Sequence, residues 1–171
     1  MSTTGRDFEH DVQRSCEKEG IFAWKLPDTY IPLKNISKEC YAPKMPSDFI
    51  MHHDGTLYFV ECKSTIYNYI TVEHDDKKRQ IAAHQISSLT KFSQSDGIKC
   101  FLFLQFKRDT EDQMTYAIEI NDFNNCLEMT GKKSINAMDV VQYGGEIIEQ
   151  EKNRVHYSYK IKNVFLQKGG K

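Results

Sequence analysis

The chain has no long hydrophobic run, no CxxC pair, no internal repeat and almost no net charge, and each absence removes a class of protein. No segment approaches the apolar length that a bilayer demands, so none reads as a membrane span. The N-terminus, Met1-Ser2-Thr3-Thr4-Gly5-Arg6, lacks the apolar stretch of a secretion signal, which leaves the cytoplasm as the expected compartment. The five cysteines, Cys16, Cys40, Cys62, Cys100 and Cys126, are odd in number and widely spaced, a pattern that fits neither a disulfide framework nor a zinc knuckle. The formal net charge of −1 by itself argues neither for nor against nucleic acid; a nucleic-acid surface on a chain of this charge requires lysines segregated onto one face.

What remains is a chain of 171 residues, 39% hydrophobic, enough for one domain spanning 1–171 with a sizeable core. Thr4-Gly5-Arg6-Asp7 resembles a capping box, and Phe8, Val12 and Cys16 at four-residue spacing predict a helix ending at Gly20. Ile21 to Leu26 reads as a strand. Pro27 and Pro32 break it and open a polar, lysine-bearing segment that runs to Pro46 and is too long for an ordinary connection. After Thr65 to Val72, Asp75-Asp76 opens a predicted helix near Lys77 to Phe92, with Ala82, Ile86 and Leu89 inward. Strands are predicted at Lys99 to Phe106 and Gln113 to Ile120, and a short helix at Asp122 to Met129. The tail shows a Gly144-Gly145 turn and an alternating strand, Val155 to Ile161.

The chemistry concentrates between Pro46 and Lys63. Pro46-Ser47-Asp48-Phe49-Ile50-Met51 and Leu57-Tyr58-Phe59-Val60-Glu61-Cys62-Lys63 flank Asp54-Gly55, a hairpin-turn signal, so the two segments fold back as antiparallel strands and bring Asp48 towards Glu61. Side chains alternate along a strand, so Glu61 and Lys63 point the same way, roughly 6–7 Å apart. Glu61 interrupts an apolar run, and a carboxylate among buried positions is costly unless paired or metal-bound. Two carboxylates without sulfur or imidazole suit Mg²⁺, with Mn²⁺ as substitute. His52-His53, adjacent on a strand end, point to opposite faces and read as turn residues.

Asp48, a strand, then Glu61-Cys62-Lys63 resembles the signature of the PD-(D/E)xK nuclease superfamily. Ile81-Ala82-Ala83-His84-Gln85-Ile86 with the strand after Gly97, Gly5-Arg6-Asp7-Phe8-Glu9, and Trp24-Lys25-Leu26-Pro27 are similar to the RecU-type Holliday junction resolvases over residues 5–106. The resemblance implies a restriction-endonuclease-like α/β core, a mixed central sheet flanked by helices, with residues 28–46 in the slot of that family's junction-probing stalk. Ser47 departs from the residue expected before the first acid. The activity implied is Mg²⁺-dependent resolution of four-way DNA junctions by paired phosphodiester hydrolysis, as a homodimer, in recombination and repair. A restriction-type or repair endonuclease, or a non-catalytic DNA-binding protein with the same fold, are the alternatives.

Carried over residue by residue, the resemblance makes Asp48 and Glu61 metal ligands with the backbone carbonyl of Cys62. Lys63 faces the phosphate or the attacking water. Glu9 is either a further acid holding a water at the metal or merely a favourable charge near a helix N-terminus. Gln85 lies beside the inward face of its helix and either hydrogen-bonds in the core or points at the site or at DNA. The expected DNA contacts are Lys25, Thr29, Lys34, Lys38, Lys77, Lys78, Arg79 and Gln85, with Lys44 reading likewise and Tyr30 or Tyr41 available to stack on exposed bases.

Overall fold

The computed structural model describes residues 3–27, 45–72, 80–107 and 113–169. Its centre is a mixed sheet of six strands in the order β1 (Phe22–Lys25), β2 (Phe49–His53), β3 (Thr56–Thr65), β5 (Ile98–Lys107), β6 (Gln113–Glu119) and β8 (Glu146–Ile147). Only β3 and β5 run parallel; the other neighbours are antiparallel. Two small ribbons flank it, β4 (Tyr69–Thr71) with β7 (Ser134–Asn136), and β9 (Gln150–Asn153) with β10 (His156–Tyr159). The expected mixed sheet flanked by helices is thus the observed architecture.

Helices cover both faces. Helices α1 (Thr3–Glu19) and α5 (Ile161–Gly169) pack with β10 on one face, burying Phe8, Val12, Cys16, Val164 and Phe165 against Met51, Val60 and Phe103. Helices α2 (Ala83–Phe92), α3 (Ile120–Thr130) and α4 (Ala137–Gln142) cover the other, where Leu89, Phe123 and Val140 meet Leu102, Leu104 and Ile118. Strand β5 therefore feeds both cores, Phe101 and Phe103 one way, Leu102 and Leu104 the other. That is why it reads as an uninterrupted apolar run rather than an alternation.

The hairpin forms as the Asp-Gly signal requires: Asp54 and Gly55 both take positive φ, 48° and 75°, between the paired residues His53 and Thr56. His52 and His53 point to opposite faces by the same pairing, and the His53 ring lies 6.2 Å from that of Phe165.

Several boundaries differ from expectation. Thr4 lies inside α1, which begins at Thr3, rather than capping it. Helix α2 begins at Ala83, not near Lys77, because Gln80 and Ile81 donate backbone hydrogen bonds to Thr71 and are held to β4 instead. Of its three expected inward residues Leu89 alone is buried, with Ile86 packed at the core margin. The tail is richer than one strand: Arg154, at φ 59°, turns β9 into β10, and Val155 is exposed in that turn. Ile161 opens a helix rather than ending a strand.

Candidate active site

Pairing of Phe49 with Val60 sets Asp48 opposite Glu61, and Asp48 N–H donates to the Val60 carbonyl at 3.2 Å. The Asp48 carboxylate then accepts the Cys62 N–H at 2.7 Å, so one acid is fastened to the backbone of the strand that carries the other. Alternation sends Tyr58, Val60 and Cys62 into the α1 core, and Glu61 with Lys63 to the α2 side.

Glu61 is fully buried. Its Oε1 accepts hydrogen bonds from Lys63 Nζ and from Gln85 Nε2, while its Oε2, equally buried, has no hydrogen-bond partner among the described residues. Burial, and then the charge of Asp48, push its pKa up to about 7 against the pull of Lys63 and Gln85. Burial works to lower the Lys63 pKa, but the carboxylates of Glu61 and Asp48 overcome it and raise it, so the ammonium stays charged.

Gln85 reaches the site because of its place in α2. It is the third residue of the helix, and its Oε1 accepts the Ala82 N–H at 3.0 Å, satisfying a donor at the helix start while its amide nitrogen turns to Glu61. Gln85 thus hydrogen-bonds Glu61, one of the two acids.

Glu9 lies beyond the first turn of α1 with 2% of its surface exposed, a buried acid. Its carboxylate pairs with Lys25 Nζ at 2.7 Å. Lys25, expected at DNA, is thereby engaged with an acid. Burial first, then the charges of Asp48, Glu9 and Glu61, hold the Cys62 thiol well above its ordinary pKa, so three acids converge on this residue and its sulfur stays protonated.

The acids set opposite each other here, Asp48 and Glu61, offer hard carboxylate oxygens, a donor chemistry that fits Mg²⁺ or Mn²⁺ rather than a soft metal. Thr29, Tyr30, Lys34, Lys38, Tyr41, Lys44, Lys77, Lys78 and Arg79 lie outside the described residues.

Sequence reasoning missed a second polar cluster. His10, Asp11 and His156 place possible ligand atoms within 4.8 Å of one another. Both Asp11 oxygens are occupied, Oδ1 by His156 Nδ1 at 2.8 Å and Oδ2 by the Tyr157 N–H at 2.9 Å, so the cluster reads as a clamp fastening β10 to α1. Its residues lie 145 positions apart, and no local pattern announces the contact.

The family model for recombination protein U matches residues 29–163 of the chain. No curated protein sequence matches it. Among solved structures it is similar to Hjc, a Holliday junction resolvase from the archaeal hyperthermophile Archaeoglobus fulgidus, with a TM-score of 0.52 and 16% identity, covering 81% of this chain and 93% of that one. At that identity the likeness is one of fold.

Proposed function

This chain belongs to the recombination protein U family, and we propose from that membership and from the site how it works. It is a nuclease that resolves four-way DNA junctions in recombination. The observation that carries the site assignment is Glu61: a fully buried carboxylate, tied on one oxygen by Lys63 and Gln85, whose second oxygen lacks a hydrogen-bond partner among the described residues. Leaving that atom unsatisfied is costly unless a ligand completes it.

We assign Asp48, Glu61 and the carbonyl of Cys62 to a divalent cation, Mg²⁺ with Mn²⁺ as substitute. Such a cation, when bound, supplies Lewis-acid charge at the scissile phosphate. Lys63 keeps its ammonium and meets the negative charge that develops on the phosphate or orients the attacking water. Gln85 fixes the Glu61 rotamer, and Glu9 positions a water at the same site, releasing Lys25 to a DNA phosphate. We propose further that segment 28–46, most of it outside the described residues, serves as the junction-probing stalk, that Lys34, Lys38, Lys77, Lys78 and Arg79, also outside them, meet the DNA backbone, and that 1–171 is a single nuclease domain. We propose the cytoplasm as its compartment. Among the described residues no helix is long and apolar enough to cross a membrane.

Paired nicks require two sites related by a twofold axis, which points to a homodimer. Among the described residues β1 is an edge strand, and its Phe22 and Trp24, each more than half exposed, support this, because an apolar edge suits a second copy. The experiment compares cleavage of a four-way junction with that of a linear duplex of the same sequence, in Mg²⁺, in Ca²⁺ and in chelator, with sedimentation alongside. We expect paired nicks in the junction in Mg²⁺ alone, binding without turnover in Ca²⁺, and a dimer without DNA. Equal cutting of the linear duplex, or cutting in chelator, would sink the reading.

A further inference from the structure

We infer that Tyr67 and Tyr69 form a stacking platform for a nucleobase at the end of the strand that carries Glu61 and Lys63, an inference that rests on the junction-nuclease reading. The two rings lie 5.7 Å apart between centroids at an interplanar angle of 19°, and remain 57% and 48% exposed. Ile66 beside them is exposed as well. Side chains of this size usually bury most of their surface; two stacked on each other in solvent offer flat apolar area and leave it unused.

The platform is held in place. Thr65, last residue of β3, accepts the Tyr67 N–H at 3.1 Å through its hydroxyl and donates to the Tyr69 carbonyl at 3.3 Å. Tyr69 is also fixed by the pairing of β4 with β7, opposite Asn136. The rings are thus anchored at both ends to regular structure, a preorganisation that reduces the entropy lost when a ligand stacks.

Position selects the ligand. Tyr67 is four residues from Lys63, so the two Cα atoms are at most about 14 Å apart, the length of roughly four stacked base steps at 3.4 Å each. A DNA strand whose scissile phosphate sits at Lys63 and which follows β3 towards its end comes within reach of these rings. Bases at a branch point have lost a stacking neighbour, and an aromatic face replaces it without reading sequence, since every base offers a π-face. The platform would recognise the branch and tolerate any base there.

The test uses the full-length protein and four-way junctions carrying 2-aminopurine at successive positions flanking the branch point, in Ca²⁺. The wild-type protein should change the emission of the analogue at one or two positions. Tyr67→Phe with Tyr69→Phe should keep that change. Tyr67→Ala with Tyr69→Ala should abolish it and weaken junction binding by roughly fivefold to a hundredfold, with an unchanged thermal midpoint and dimer. Alanine variants that bind and report like the wild type would overturn the platform. So would phenylalanine variants as weak as the alanine ones, which would assign the hydroxyls rather than stacking, or alanine variants that lose only the dimer. A wild-type protein that prefers linear to branched DNA while its alanine variants still lose the emission change would overturn branch recognition and the resolvase reading, leaving a base-stacking site on a general nuclease.

Discussion

Glu61 and Asp11 are two buried carboxylates on opposite sides of one sheet, and each meets a basic side chain, yet they are finished to different degrees. Asp11, 5% exposed, has both oxygens occupied, by His156 and by a backbone N–H, and its work is to fasten β10 onto α1. Glu61 has one oxygen occupied twice, and the other has no hydrogen-bond partner among the described residues. A folded chain tolerates the first arrangement because every polar atom is satisfied; it tolerates the second only by raising the pKa of the acid, to about 7. The contrast separates a carboxylate that holds the fold together from one that awaits a ligand.

The comparison breaks most sharply by mutation of the unfinished acid. Glu61→Gln and Asp48→Asn should each reduce junction cleavage in Mg²⁺ by about a hundredfold to several thousandfold, the rate equivalent of several kcal/mol of charge stabilisation. Junction binding should be kept or strengthened, because a carboxylate is removed from beside a phosphate. Single-turnover rates and filter binding measure the two effects. A variant that cuts at the wild-type rate would remove its residue from the site.

The finished acid should respond the opposite way. Asp11→Ala leaves the Tyr157 N–H and the His156 ring without their acceptor, and should cost about 1–3 kcal/mol of stability, read by urea unfolding. Cleavage per folded molecule should change far less than in Glu61→Gln. If Asp11→Ala instead unfolds normally and loses cleavage selectively, the division between the two carboxylates fails.

How much of this was legible in the chain follows the same division. The acidic hairpin was readable because its signals are local: Asp54-Gly55 fixes the turn, period-two alternation fixes the faces, and Glu61 stands out against its apolar neighbours. Gln85 could be placed on a helix beside the inward face, and its reach to Glu61 depended on where α2 begins. That start was misplaced, since Asp75-Asp76 resembles a cap while the backbone of Gln80 and Ile81 is bound to Thr71. The clamp at Asp11 and the hairpin from β9 to β10 were invisible. Arg154 makes that turn with a positive φ and no glycine to mark it, and the partner of Asp11 lies at the far end of the chain. Local chemistry reveals itself in sequence; long-range satisfaction of polar groups does not.

The smallest expected effect is a slope with pH. In the unfolded chain Glu61 releases its proton near its ordinary value of 4.5, and in the metal-free fold near 7. A raised folded pKa means the fold binds the proton more tightly. The contribution is therefore fully present below pH 4.5 and is lost as pH rises through 7. In chelator, the stability of the wild type relative to Glu61→Gln should fall between pH 5 and pH 8, with a slope no steeper than about 1.4 kcal/mol per pH unit for one proton. Mg²⁺ should raise the wild-type melting temperature more at pH 8 than at pH 5, because it binds the ionised acid, and should leave Glu61→Gln nearly unmoved. A difference between the two proteins that stays flat with pH would mean that Glu61 is already ionised and satisfied in the metal-free fold, which would place it beside Asp11 rather than opposite it.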